Sequence, residues 1–122
     1  MFSGNNFSVR FGDTEIGIAW VSPLTSRSLP DRSAVETVVL RRAVSTSRLL
    51  WDWHQGGRSD PAAQRVVIEL QDSTQTRAVV RWILHGARPI RWTGPELDAS
   101  AQRVATEEIE LTYERLEWEN GE

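Results

Sequence analysis

Apolar residues occupy every second position in one stretch of this chain after another, and that period constrains the fold more than any other feature. Successive side chains of a strand leave opposite faces, so the alternation marks half-buried β-strands. Phe7, Val9 and Phe11 alternate with Ser8 and Arg10. Gly12-Asp13-Thr14 supplies a turn, and Ile16, Ile18 and Trp20 resume the pattern around Gly17 and Ala19, which predicts an N-terminal hairpin. Pro23 ends it, and Ser22 to Ser33, with Pro30, reads as loop. Val35 to Val44, rich in β-branched residues, is the next strand.

Gln64 to Leu70 and Arg77 to His85 predict a second hairpin, joined through Asp72-Ser73-Thr74. In its later strand Ala78, Val80, Trp82 and Leu84 share a face assigned to the core. Arg77, Val79, Arg81, Ile83 and His85 take the face turned to water or a neighbour. The last strand runs from about Arg103 to Glu114, with Ile109, Leu111 and Tyr113 inward and Glu108, Glu110, Thr112 and Glu114 outward. Leu116 and Trp118 are left without a place.

Helical spacing occurs once, where Leu49, Leu50 and Trp53 fall on one face. Ser45-Thr46-Ser47 offers a hydroxyl cap before them, Gly56-Gly57 a stop after them, and Asp60-Pro61 a loop. Gly86 to Ala101 holds Pro89, Trp92 and Pro95 and reads as an irregular or bent edge segment. The expectation is one domain over residues 1–122, mainly β: a small antiparallel β-barrel or sandwich with one short α-helix. Its expected core is Phe7, Val9, Phe11, Leu40, Leu50, Trp53, Ile68, Trp82, Ile109 and Leu111.

A chain of 122 residues offers a limited interior, yet it carries six tryptophans. Rings of that size are enriched both in cores and where proteins meet, so some are expected at subunit contacts, with core packing of all six as the alternative. Cysteine is absent, which excludes disulfides, thiolate metal sites and a cysteine nucleophile. Met1-Phe2-Ser3-Gly4 begins no signal-peptide pattern, and no run approaches the ~18 apolar residues of a membrane helix, so membrane insertion is not expected. The net charge of −3 argues against general nucleic-acid binding. Seven glutamates lie from Glu107 to Glu122 and twelve arginines from Arg27 to Arg103, so oppositely charged surfaces meeting between copies are one reading and a solvated acidic end another.

The residues hold no recognisable catalytic constellation. His54 and His85 have no metal-ligand spacing, and His54 is expected to meet the last carbonyls of the helix. No Gly-x-Ser-x-Gly elbow or phosphate loop is present. Glu107 and Glu108 leave opposite faces of a strand and cannot share a substrate atom. Arg88, Arg91 and Trp92 pair basic with aromatic groups as nucleic-acid surfaces do, but over too small a footprint. No enzyme and no cofactor is expected.

Taken in order, several segments are similar to one family. Phe7-Ser8-Val9-Arg10-Phe11 is followed by Val21-Ser22-Pro23-Leu24, where that family commonly has Val-Ser-Gly-Leu. Val39-Leu40-Arg41-Arg42-Ala43 then leads into Leu50-Trp51-Asp52-Trp53. Val66-Val67-Ile68-Glu69-Leu70-Gln71-Asp72, Arg81-Trp82, Ala87-Arg88-Pro89-Ile90-Arg91-Trp92, Gly94-Pro95-Glu96-Leu97-Asp98-Ala99 and Ala105-Thr106-Glu107-Glu108-Ile109-Glu110-Leu111 complete the series. The chain resembles the tail tube proteins of contractile-tailed phages, a family that includes the inner tube proteins of extracellular contractile injection systems.

The resemblance implies six-protomer rings of small barrels, stacked into a hollow tube inside a contractile sheath. The implied partners are other copies, the sheath protein, baseplate and spike-hub proteins, and DNA or protein cargo in the lumen. Assembly would take place in the cytoplasm, before incorporation into a virion tail or injection particle. Arg77, Arg81, Arg88, Arg91, Trp92, Glu108, Glu110 and Glu114 are the candidate interface or lumen residues. Only Thr25 to Val38, fourteen residues, separates Leu24 from Val39, where major tube proteins usually carry a long extension. The alternative is therefore a minor ring, a tube initiator, baseplate adaptor or cargo-binding ring, that does not itself build long tubes.

Overall fold

A computed structural model describes residues 2–28, 36–56, 64–72 and 79–121. The strands are β1 (Phe2–Phe11), β2 (Thr14–Ile16), β3 (Trp20–Val21), β4 (Glu36–Ala43), β5 (Gln64–Asp72), β6 (Val79–Thr93), β7 (Thr106–Tyr113) and β8 (Arg115–Gly121). The helix α1 spans Leu49–Gly56. Arg77, Ala78, Val35, Pro30 and the positions Gly57, Asp60-Pro61 and Ser73-Thr74 lie outside the described residues.

Every strand pairing is antiparallel, in the order β2-β1-β5-β6-β7-β4-β3, with β8 paired to β6. β6 organises the whole. Its first part lies between β5 and β8, and its second part pairs with β7. β7 and β8 follow a single line of pairing along it, from Pro89↔Leu111 and Arg88↔Thr112 to His85↔Arg115 and Leu84↔Leu116. At the junction the Glu114 N–H donates to the His85 carbonyl at 2.9 Å.

Beside this junction Val66 faces Leu84 but Gln64 faces Ala87, so β6 holds one extra residue there. Gly86 supplies it with a φ of 66°, a conformation glycine adopts without a Cβ penalty. The bulge turns the long hairpin from one layer into the other. One layer is then β2-β1-β5-β6-β8 and the other β6-β7-β4-β3. Among the described residues β2 does not pair with β3, so the sheet is an open, folded sandwich and not a closed barrel. The reason is local: Gly17 to Ala19 leave the pairing, so the stretch expected to be one strand to Trp20 is split. β2 stays on β1 while β3 crosses to β4.

Two further expectations change. Gly86 to Thr93 is bent, as expected, but it stays in strand pairing with β7, with Pro89 buried beside a second extra residue, Ile90, where β6 has lost its β5 neighbour. Proline tolerates such an edge because no ladder partner needs its missing N–H. Residues 115–121, left unassigned by the alternation, form β8.

The core joins both layers. Val9, Phe11, Ile68 and Leu84 meet Leu40, Ile109, Leu111 and Tyr113, and Leu50 of α1 is buried among them. Burying a side chain of this size contributes about 1.5–3 kcal/mol. The Leu49 N–H donates to Ser47 Oγ at 3.4 Å at the start of α1, and Trp53 packs on Phe11 with ring centres 4.6 Å apart. Trp51, on the diverging side of the helix, meets Trp92 edge-on at 4.9 Å. The His54 Nδ1 is buried without a hydrogen-bond partner among the described residues.

Candidate assembly surface

Three surfaces carry the chemistry of this molecule. The first is the outer face of β1, β5, β6 and β8. Register places Arg10 opposite Val67, Val67 opposite Ile83 and Ile83 opposite Glu117, with Glu69, Arg81 and Glu119 in the parallel row. Arg81 Nε donates to Glu69 at 2.8 Å, Arg81 also reaches Glu119 at 3.3 Å, and Arg10 lies 3.9 Å from Glu69. His85 Nε2 meets Glu117 at 2.7 Å.

Ile83, on the face expected to meet water, is only 1% exposed, and Val67 is also buried. The ionic rows around them explain this, since arginine stems cover apolar surface while their heads stay wet. Burial by itself would raise the Glu69 pKa, but the hydrogen bonds of Arg81 and Gln71 and the charges of Arg81 and Arg10 together outweigh it and hold the carboxyl below its ordinary value. The hydrogen bond from His85 lowers Glu117 in the same way.

The second surface is the β4–β7 pair. Arg41 faces Glu108 and Arg42 faces Glu107, so two neighbouring ion pairs point to opposite faces. Arg41–Glu108, at 2.7 Å, is partly exposed, with the guanidinium 4.4 Å from the Trp20 ring centre. Arg42–Glu107 is buried. Arg42 also donates to the Ser47 carbonyl at 3.1 Å, and the Trp92 indole N–H donates to Glu107 at 2.9 Å. This cluster ties the start of α1 to both strands.

The third surface is an open apolar groove of about 810 Å³ between the β3 side and the first layer. Phe7, Trp20, Leu24, Leu70, Trp82 and Trp118 are among its lining residues. Trp82 and Trp118 meet edge-on at 5.1 Å, and Trp118 remains 63% exposed.

The candidate residues do not converge on one patch. Arg77 lies outside the described residues, and Arg81 belongs to the ionic outer face. Arg88 is half-buried on β6, Arg91 exposed, and Trp92 engaged with Glu107 and Trp51. Trp92 is thus tied into the chain through both its indole N–H and its ring contact. Glu108 pairs with Arg41, Glu110 is half-buried, and Glu114 stands exposed over Gly86. Sequence reasoning missed the groove and its Trp20 and Trp118. The signal was present in Leu116-Glu117-Trp118-Glu119, which alternates like a strand. Among the described residues, no three His, Asp or Glu side chains are grouped to hold a metal ion, and no helix is long and apolar enough to cross a membrane.

Residues 21–117 match the family of the T4-like virus tail tube protein gp19. No curated protein sequence matches the chain. Among solved structures, a chain of the extended PVC sheath–tube complex, an extracellular contractile injection system, superposes with a TM-score of 0.81 at 21% identity, over 98% of this chain and 91% of that one. A chain of the PVC sheath/tube terminator gives 0.85 at 24% identity, over 98% and 96%. Hcp1 from Flavobacterium johnsoniae gives 0.68 at 11% identity, over 93% and 94%. The fold is that of these proteins.

Proposed function

This chain belongs to the T4-like virus tail tube protein family, and from that premise we propose that it forms rings that stack into the inner conduit of a contractile phage tail or injection particle. The chain is a structural tube subunit; the six-membered ring, the cargo and the attachment to sheath and baseplate are the proposed parts. The match of residues 21–117 to the family carries the reading. The exposed Trp20 and Trp118 and the open sheet edges suit a chain whose surface is completed by other copies. We read its role as mechanical, guiding DNA or protein through the lumen, with the whole of residues 1–122 acting as one domain. Assembly in the cytoplasm precedes incorporation into the particle.

A second reading, a minor ring that terminates or adapts the tube, is favoured by the likeness to the PVC sheath/tube terminator. The short Thr25–Val38 connection does not decide between them, because this chain spans 91% of the sheath–tube chain and 96% of the terminator chain. Negative-stain microscopy with sedimentation of the purified protein tests both. Long hollow tubes support the main conduit, discrete rings support the minor ring, and a strict monomer at high concentration counts against self-assembly.

A further inference from the structure

The groove and the most exposed apolar loop lie at opposite ends of the same strands. Along β1, Gly4 and Phe7 line the groove, whereas Phe11 packs under Trp53 of α1. Along β6, Trp82 lines the groove, whereas Trp92 packs on Trp51, and residues 94–105 continue from that far end to β7. In this loop Leu97 is 83% exposed and Val104 is also largely exposed. Leu97 is flanked by Glu96 and Asp98, so the loop presents an apolar side chain between two carboxylates.

We propose that the groove receives the Glu96-Leu97-Asp98 tip of a second copy, making this the head-to-tail contact between tube subunits. The inference rests on the tube-subunit reading and names the surfaces it uses. Charge complements shape. Arg27, beside the lining residue Ser26, and Arg41, against Trp20, keep 57% and 38% of their side chains in solvent. Each already shares a carboxylate, with Glu36 and Glu108, and has further N–H groups to offer an incoming acid.

Because loop and groove sit at opposite ends of β6, a chain cannot fill its own groove. Each contact between two copies leaves one groove and one loop free, so growth continues to a ring or an open filament, as a heterologous contact requires. The groove volume of about 810 Å³ exceeds that of one leucine side chain, so neighbouring backbone of the loop enters with it.

The absence of cysteine makes a direct test clean. Ser26→Cys and Leu97→Cys variants are mixed under assembling conditions and joined by mild oxidation or a short bis-maleimide. The expected product is the mixed 26–97 dimer, in at least about tenfold excess over either same-site dimer. Leu97→Asp is expected to raise the concentration needed for assembly at least about tenfold with unchanged circular dichroism and thermal unfolding.

Equal yields of all dimers, or Leu97→Asp assembling like the parent, overturn the inference while leaving the tube reading intact if the parent assembles. A parent that never leaves the monomer overturns both. Loss of assembly on Trp118→Asp but not on Leu97→Asp assigns the groove to another segment and overturns this occupant.

Discussion

Arg42 and Glu107 face each other across β4 and β7 with their side chains 9% and 6% exposed, joined Nε to Oε2 at 3.1 Å. Neither charge can be removed alone without stranding the other, and breaking such a pair from one side costs about 3–5 kcal/mol. Glu107→Ala also orphans the Trp92 indole N–H and releases the strand that Arg42 links to Ser47. Urea unfolding of Glu107→Ala should show a loss of that size, with a changed near-ultraviolet signal from Trp51 and Trp92. Glu107→Gln keeps an acceptor for Trp92 and should lose less.

The bend of β6 supplies a second prediction. A β-carbon on Gly86 would lie 2.7 Å from Glu114 Cδ, in a backbone conformation that favours glycine. The Glu114 side chain is exposed and can swing aside, so backbone strain of about 1–2 kcal/mol is the larger cost of Gly86→Ala. Adding Glu114→Ala should therefore recover only a minor part of the lost stability. Full recovery in equilibrium unfolding would show that the contact, not the φ angle, governs this site.

How much of this was legible follows from what each residue depends on. Val9, Leu40, Ile109 and Leu111 lie in the core because strand alternation is a local property, and Leu50 because helical spacing is too. A bend from Gly86 onward was legible in its glycine and prolines, but the continued pairing was not: a partner strand that bends with them allows bulges where the sequence alone suggests a break. Ile83 was assigned outward because its burial depends on the ionic rows of the neighbouring strands, which no single strand reveals. The groove, too, exists only once β3 has crossed to β4 and faces the first layer.

The outer ionic rows set a pH dependence. The folded-state pKa of Glu69 lies below that of the unfolded chain, about 4.3, so at mildly acid pH the unfolded form binds more protons. The contribution of Glu69 is thus complete above the unfolded value and is lost as pH falls through the lowered folded value. Thermal unfolding from pH 7 to 2.5 should show Tm dropping mainly below about pH 4. Glu69→Gln should lie closer to the parent at pH 2.5 than at pH 7. A constant difference across that range would mean the carboxylate charge contributes nothing.

Trp82 and Trp118 separate folding from assembly. They lie opposite each other on β6 and β8 and meet edge-on at 5.1 Å, with an interplanar angle of 83°. Trp82 is half-buried and packs against the core, whereas Trp118 is largely exposed. In the isolated monomer Trp118→Ala should cost about 1 kcal/mol or less, mostly the edge-on ring contact, while Trp82→Ala should cost about 1–3 kcal/mol. The two losses should not add, because each substitution removes the same ring pair, and a double-mutant cycle should give a coupling of about 0.5–1.5 kcal/mol. Zero coupling would mean the rings do not interact in solution. Both residues line the groove, so Trp118→Ala should weaken ring assembly far more than it weakens the monomer. Concentration-dependent sedimentation of variants matched for thermal stability measures that difference, and equal effects on both would place Trp118 outside the contact between copies.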